Sequence, residues 1–340
     1  MENNEKDVLL DVKNLKTYFK LASGTARAVD GVSFQLRRGE TLGVVGESGS
    51  GKSVMAKSVI RLLENSARIE EGSITFEGRD VLSFGKKELR DYRGRDIGMI
   101  FQDPMTSLDP VFKVGKQMAE NLRIHRNMSK AEAREVAINA LRSVGIPNPE
   151  ARFESYPFEL SGGMCQRVII AMALCCNAEV IIADEPTTAL DVTVQAQVLR
   201  LLKDLQREND IGLMIITHNL GVVWDICDRA MVMYAGKVVE TADVKKLYAN
   251  PVHPYTWGLL DSMPSLASER KANLATIPGT PPDLRLTGTC CNFYNRCPYA
   301  TEICIKEVPE LIEIEPGHFA ACHHQTKESK LERGKGGERR

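Results

Sequence analysis

Apolar and polar residues alternate in short runs from Leu9 to Phe34, a period of two that predicts β-strands. Thr41-Leu42-Gly43-Val44-Val45 predicts an apolar strand that feeds a Gly-rich stretch. Past that stretch the period lengthens, and Val54, Val59, Ile60, Leu62 and Leu63 suit the buried side of a helix. Two more strands are predicted: Gly72-Ser73-Ile74-Thr75-Phe76-Glu77-Gly78, bounded by turn residues, and Ile97-Gly98-Met99-Ile100-Phe101.

Between Asp103 and Leu160 the strand signals fade. Ser129-Lys130-Ala131-Glu132 has the form of a capping box before a stripe of Val136, Ala137, Ala140, Leu141 and Val144, which predicts a helical insertion over about 103–165. Strand and helix then alternate: Val180 to Ala183, a helix carrying Val194, Val198, Leu201, Leu202 and Leu205, and Leu213 to Ile216. That order predicts a parallel, doubly wound α/β core. Ala230 to Tyr234, Ala235-Gly236 and Lys237 to Glu240 predict a hairpin that closes the main domain near residue 250.

Beyond Asn250 stand Pro251, Pro254, Pro264, Pro278, Pro281 and Pro282, a density that disfavours helix or sheet and predicts an extended connector. A small cysteine-rich module follows, so 251–324 forms a separate extension. Gln325 to Arg340 mixes Lys, Arg and Glu with Gly and predicts a disordered tail over 325–340.

At 340 residues, with 43% hydrophobic and 26% charged, the chain suits one large domain plus an appendage. Its formal charge of -1 provides no global field to recruit nucleic acid or anionic lipid. The polar start Met1-Glu2-Asn3-Asn4-Glu5-Lys6-Asp7 lacks the basic and apolar regions of a secretory signal. The most apolar stretch, Val168 to Ala183, is interrupted by Asn177 and Glu179 and falls short of the roughly 18 residues a spanning helix needs. The expectation is a chain that neither crosses a membrane nor is exported.

Three motifs carry chemistry. Gly46-Glu47-Ser48-Gly49-Ser50-Gly51-Lys52-Ser53 fits G-x-x-x-x-G-K-[ST] between a predicted strand and helix. Such a turn converges backbone N–H groups at a helix N-terminus, with Lys52 placed for the β- and γ-phosphates and the Ser53 hydroxyl for Mg²⁺. Val180 to Asp184-Glu185 is an apolar strand ending in two carboxylates, suited to Mg²⁺ and to activating a water. Between them, Leu160-Ser161-Gly162-Gly163-Met164-Cys165-Gln166-Arg167 offers a hydroxyl, two glycines that permit backbone approach and a helix N-terminus, a second phosphate clamp. Gln102 and His218 each follow a predicted strand, where ligand sites of α/β folds form.

In this order the motifs resemble the ATP-binding cassette (ABC) family of ATPases. The resemblance implies a P-loop NTPase core with an antiparallel β subdomain and a helical subdomain. It implies ATP and Mg²⁺, with Asp184 and Gln102 at the metal, Glu185 as the base and His218 at the γ-phosphate. It places an aromatic before the Gly-rich loop against adenine, Phe19 in the favoured alignment and Tyr18 as the alternative. It also implies that Ser161, Gly162, Gly163 and Gln166 meet ATP held by an opposite subunit, with Asp191 communicating across that dimer.

Five of nine cysteines crowd between Cys290 and Cys322. Cys291, Cys297, Cys304 and Cys322 follow C-x₅-C-x₆-C-x₁₇-C, and four thiolates suit a [4Fe–4S] cluster or Zn²⁺; the missing C-x-x-C pairs favour the cluster. Cys290, His323 and His324 are competing ligands. Asn250-Pro251-Val252-His253-Pro254-Tyr255-Thr256 and Arg296-Cys297-Pro298-Tyr299-Ala300 resemble the C-terminal extension of oligopeptide and dipeptide importer ATPases, some of which carry an iron–sulfur cluster. The implied assembly pairs this chain with a second ATPase subunit, a paralogue or another copy. Two transmembrane permease subunits and an extracytoplasmic solute-binding protein complete it, with this chain peripheral on the cytoplasmic face of the membrane. Alternatives are import of nickel or another small solute, a soluble ABC ATPase of translation or DNA metabolism, and an iron–sulfur sensor.

Overall fold

The computed structural model describes residues 7–188, 190–263 and 276–334. The chain packs into two compact units, each discontinuous in sequence: Met1–Leu10, Leu36–Thr41 and Phe76–Ile216 in one, and Asp11–Gln35, Leu42–Thr75 and Thr217–Arg340 in the other.

In the first unit, strands Ile97–Ile100, Val180–Asp184 and Gly212–Thr217 lie side by side and parallel, with Met99 opposite Ile182 and Ala183 opposite Ile215. Val180, Ile181, Ile182 and Ala183 are all buried, as an unbroken apolar run requires of a strand covered on both faces. The expected helical insertion is present as Val114–Arg126, Lys130–Ser143 and Pro149–Phe153. Its capping box is formed: the Ser129 N–H donates to Glu132 Oε2 (2.8 Å) and the Glu132 N–H to Ser129 Oγ (3.3 Å). Helices Gly162–Leu174 and Val192–Asn209 belong to the same unit.

For most of their length in the second unit, strands Val8–Leu21 and Gly24–Arg37 form a hairpin turning at Ala22-Ser23, and Ala67–Phe76 lies on the free side of Val8–Leu21. Strand Thr41–Val45 pairs parallel with Arg229–Tyr234, setting Val44 against Met231. The expected hairpin then returns through Ala235 (φ 43°) and Gly236 (φ 83°) into Lys237–Asp243. Positive φ at both turn positions matches the right-handed strand twist.

That hairpin does not close the sheet. Lys237–Asp243 pairs onward with His318–Ala320, which pairs with Ile312–Glu315, so residues between Cys304 and Cys322 extend it. The connector also differs from expectation, because Pro254–Asp261 is a helix. Pro254 opens it where the missing N–H costs nothing, and His253 Nδ1 accepts from the Tyr255 N–H at 3.0 Å as the cap. Of the expected disordered tail, residues 325–334 are instead bonded. Gln325 Nε2 donates to the Val252 carbonyl (2.7 Å), Lys330 pairs with Glu315 (2.6 Å), and the Gly334 N–H donates to the Tyr299 hydroxyl (2.9 Å). Residues 335–340 lie outside the described residues.

Candidate active site

In the second unit, strand Thr41–Val45 runs into the Gly-rich loop, and helix Lys52–Val59 leaves it. Gly51 has φ 101°, and a Cβ there would lie 2.1 Å from the Ala28 carbonyl oxygen, so no other residue fits that turn. Lys52 is buried, and its ammonium bends back to donate to the carbonyl oxygens of Gly46 (2.8 Å) and Glu47 (2.9 Å) and to Ser50 Oγ (3.2 Å). Its charge is thereby held over the turn, at the start of a helix whose dipole also favours anions. Gly46 and Ser50 are buried, Ser48 and Gly49 are exposed, and Ser53 is half-buried in the first turn.

The loop is gripped from outside. The Glu47 N–H donates to the Tyr255 hydroxyl (2.8 Å), the Gly236 N–H to the Ser50 carbonyl (2.9 Å), and the Glu47 carboxylate pairs with Arg296 (2.6 Å). Glu47, Tyr255 and Arg296 were not singled out from the sequence as site residues, and Arg296 is 249 positions from Glu47. Of the aromatic pair, Tyr18 donates its hydroxyl to Asp30 Oδ1 (2.7 Å), while Asp30 Oδ2 pairs with Lys237 (3.0 Å). Neighbours on a strand point to opposite faces, so Phe19, half-buried, stands on the other side. His218 is exposed just after Thr217, before helix Leu220–Ile226.

In the first unit, Asp184 ends its strand buried at 4% exposure. Glu185 follows with φ 47°, a left-handed conformation costly for a residue with a side chain and typical of functional positions. The Glu185 N–H donates to the Ile216 carbonyl (2.9 Å), and its Oε2 accepts from Gln102 Nε2 (3.2 Å) and Thr188 Oγ1 (2.8 Å). The structure thus brings Gln102 to Glu185 and adds Thr188, whose only sequence signal is its place three residues on. In the first unit the Asp184 carboxylate and the Gln102 amide oxygen are hard oxygen donors that suit Mg²⁺, as is the Ser53 hydroxyl in the second.

Ser161 caps helix Gly162–Leu174, its Oγ accepting from the Met164 N–H at 3.3 Å. Ser161 and Gly162 are exposed, whereas Gly163 abuts the Val194 side chain. Gln166 is 1% exposed and its Nε2 has no hydrogen-bond partner among the described residues, so this member of the signature faces inward. Asp191 is exposed, and its carboxylate accepts from the Val194 N–H (3.0 Å) as cap of helix Val192–Asn209.

The four cysteines of the extension are gathered but not set as ligands. The Cys291 N–H donates to the Cys304 carbonyl (2.9 Å), and Cys297 and Cys304 are buried. Burial, reinforced by Cys304, Cys322 and Cys297, pushes the Cys291 thiol up to about 12, and burial also raises Cys322. Cys304 Sγ stands 3.5 Å from His324 Nε2, which also meets Thr301 Oγ1 at 3.0 Å, and His323 Nε2 donates to the Glu307 carbonyl (3.0 Å). Cys290 is half-buried beside Cys291. Among the described residues no group of three or more His, Cys, Asp or Glu is arranged to hold a metal ion, so this geometry does not support the expected [4Fe–4S] or Zn²⁺ site. No helix of the described residues is long and apolar enough to cross a membrane.

Comparison with known proteins follows the same division of motifs. Residues 29–188 match the ABC transporter family, and residues 239–304 match the oligopeptide/dipeptide transporter C-terminal region. The chain is 51% identical over 324 residues to a probable peptide ABC transporter ATP-binding protein of Sinorhizobium fredii, covering 95% of this chain and 97% of the relative. It is 50% identical over 312 residues to an oligopeptide transport ATP-binding protein of Bacillus subtilis, covering 92% and 87%. A dipeptide transport ATP-binding protein of Lactococcus lactis is 47% identical over 316 residues, covering 93% and 90%. Among solved structures, a dimeric ATP-binding cassette in a post-hydrolysis state with ADP and Pi is similar, with TM-score 0.63 and 28% identity, covering 69% of this chain and 99% of that one.

Proposed function

This chain belongs to the ATP-binding subunits of oligopeptide and dipeptide ABC transporters, and from that premise we propose that its ATP hydrolysis drives peptide import through separate membrane permease chains. The observation that carries the reading is the match of residues 239–304 to the oligopeptide/dipeptide C-terminal region, since the cassette alone fits transporters of many solutes. We read 1–250 as the ATPase domain, with its helical part at about 103–165, and 251–324 as the importer-type extension.

The residues divide the work. Backbone N–H groups of the Gly46–Gly51 turn, other than those of Glu47 and Ser50 that bond to the Tyr255 hydroxyl and the Glu47 carbonyl, cradle the phosphates, and Lys52 neutralises their β and γ oxygens. Ser53, Asp184 and Gln102 would hold Mg²⁺, which would supply further neutralisation of phosphate charge. Glu185 takes the proton of the attacking water, its carboxylate oriented by Gln102 and Thr188, and His218 stabilises the γ-phosphate. Phe19 stacks on adenine, because the Tyr18 hydroxyl is committed to Asp30. Ser161 and Gly162, exposed at a helix N-terminus, clamp ATP bound by a second ATPase subunit, with Gly163 giving close helix packing and Asp191 fixing the neighbouring helix start. The chain works peripherally on the cytoplasmic face of the membrane, and an extracytoplasmic binding protein delivers the peptide.

The [4Fe–4S] assignment for Cys291, Cys297, Cys304 and Cys322 rests on the family resemblance alone, since the described residues show no ligand arrangement. One anaerobic purification tests both readings. Two permease chains and a second ATPase subunit should co-purify with the tagged chain, together with stoichiometric iron and inorganic sulfide. Recovery of ribosomes without permease would overturn the transport reading; zinc, or no metal, would overturn the cluster.

A further inference from the structure

Arg296 is buried in the C-terminal extension, and each of its five N–H donors has an acceptor. Nε donates to the Pro278 carbonyl (2.9 Å), Nη1 to Glu47 Oε2 (2.6 Å) and the Tyr234 hydroxyl (3.3 Å), and Nη2 to Glu47 Oε1 (3.0 Å) and the Ile277 carbonyl (3.2 Å). Three anchors from the extension and the sheet therefore fix the guanidinium, and its remaining edge takes the Glu47 carboxylate in a bidentate fork. Glu47 sits between Gly46 and Ser48, inside the turn that cradles phosphate. Its backbone N–H is held separately by the Tyr255 hydroxyl, from the helix that opens the extension.

A carboxylate at that place needs compensation. Phosphate-binding turns gather positive partial charge, and an uncompensated anion there repels the triphosphate it serves. We infer that Arg296 is a positioning residue of the phosphate-binding loop: it neutralises Glu47, turns its carboxylate away from the phosphates, and makes ATP affinity depend on the docked C-terminal extension. Coupling of this kind is reciprocal, so bound ATP should also hold the extension more firmly in place.

The inference rests on the ATPase reading, and the two fail differently. Wild-type protein that binds no ATP sinks the ATPase reading; wild-type binding that is indifferent to Arg296 sinks only this one. The experiment is equilibrium ATP binding by the full chain as wild type, Arg296→Gln, Glu47→Gln and the double variant, with circular dichroism to verify folding. Arg296→Gln should weaken ATP about ten-fold by leaving the carboxylate unpaired, and Glu47→Gln in the same chain should restore affinity to within about three-fold of wild type. In the assembled transporter the single variant should raise KM and leave kcat at saturating ATP near wild type. A purely structural role predicts the reverse pattern, with the double variant at least as impaired as the single. That result, or a Kd for Arg296→Gln within two-fold of wild type, overturns the inference. Should Arg296→Gln not fold, Arg296→Lys keeps the charge but loses the fork, and about three-fold weakening is expected; unchanged affinity overturns the inference there too.

Discussion

A side chain added at Gly163 would meet Val194 Cγ1 at 2.8 Å, whereas one added at Gly162 meets nothing within 4 Å. The two glycines of the signature thus serve different needs, one internal packing and the other an approach from outside the chain. Gly163→Ala should destabilise the protein by about 1–3 kcal/mol through overpacking against the helix Val192–Asn209. Gly162→Asp should leave urea stability within about 0.5 kcal/mol, since an acidic first turn suits the helix dipole. It should nevertheless cut ATPase activity of the assembled complex by at least about ten-fold, by setting a charge against the opposing nucleotide. Full activity in Gly162→Asp would remove the signature from contact with ATP. Both glycines were legible in the sequence as a motif, but their different obligations were not, because the distinction depends on where Val194 lies. Thr188 was equally visible, yet its bond to Glu185 depends on the left-handed backbone at that carboxylate.

Helix Pro254–Asp261 shows how an element can hide from its own sequence. Prolines read as breakers unless their position relative to a helix start is known, and His253 is not among the usual caps. Strands Ile312–Glu315 and His318–Ala320 are too short for a period of two to reveal. By contrast, the capping box at Ser129 and the apolar run at Val180 were read correctly, since each signal is complete within a few residues. The His253 cap makes this helix sensitive to acid. Burial, partly opposed by Glu240, pushes the imidazole down to about 4 from 6.5, and its Nδ1 must stay unprotonated to accept from Tyr255. Because the folded pKa is depressed, the unfolded chain binds the extra proton first. The contribution is complete above pH about 6.5 and is lost as pH falls toward about 4, on the order of 3 kcal/mol in all. His253→Asn keeps a cap acceptor without the titration, so its unfolding free energy should decline less steeply over that window. Equal slopes in the two proteins would show that His253 does not govern it.

For the molecule as a whole, the order of motifs from Gly46 to His218 was the most legible feature, because each is local and strand-flanked. The attachment of the extension to the phosphate loop was not, since Glu47 and Arg296 meet only after 249 positions of folded chain. The metal expectation shows the limit of spacing: four cysteines converge without a ligand arrangement among the described residues. Peptide import by ATP hydrolysis is the central claim, and it concerns the complete assembly rather than this subunit alone. Its most direct test is accumulation of a labelled oligopeptide in proteoliposomes holding the whole transporter, with ATP supplied on the side of this subunit. Wild type should accumulate peptide only with ATP and the solute-binding protein, and Glu185→Gln should bind ATP yet accumulate no more than background. Equal uptake by the two proteins, or none by the wild type, would contradict the account.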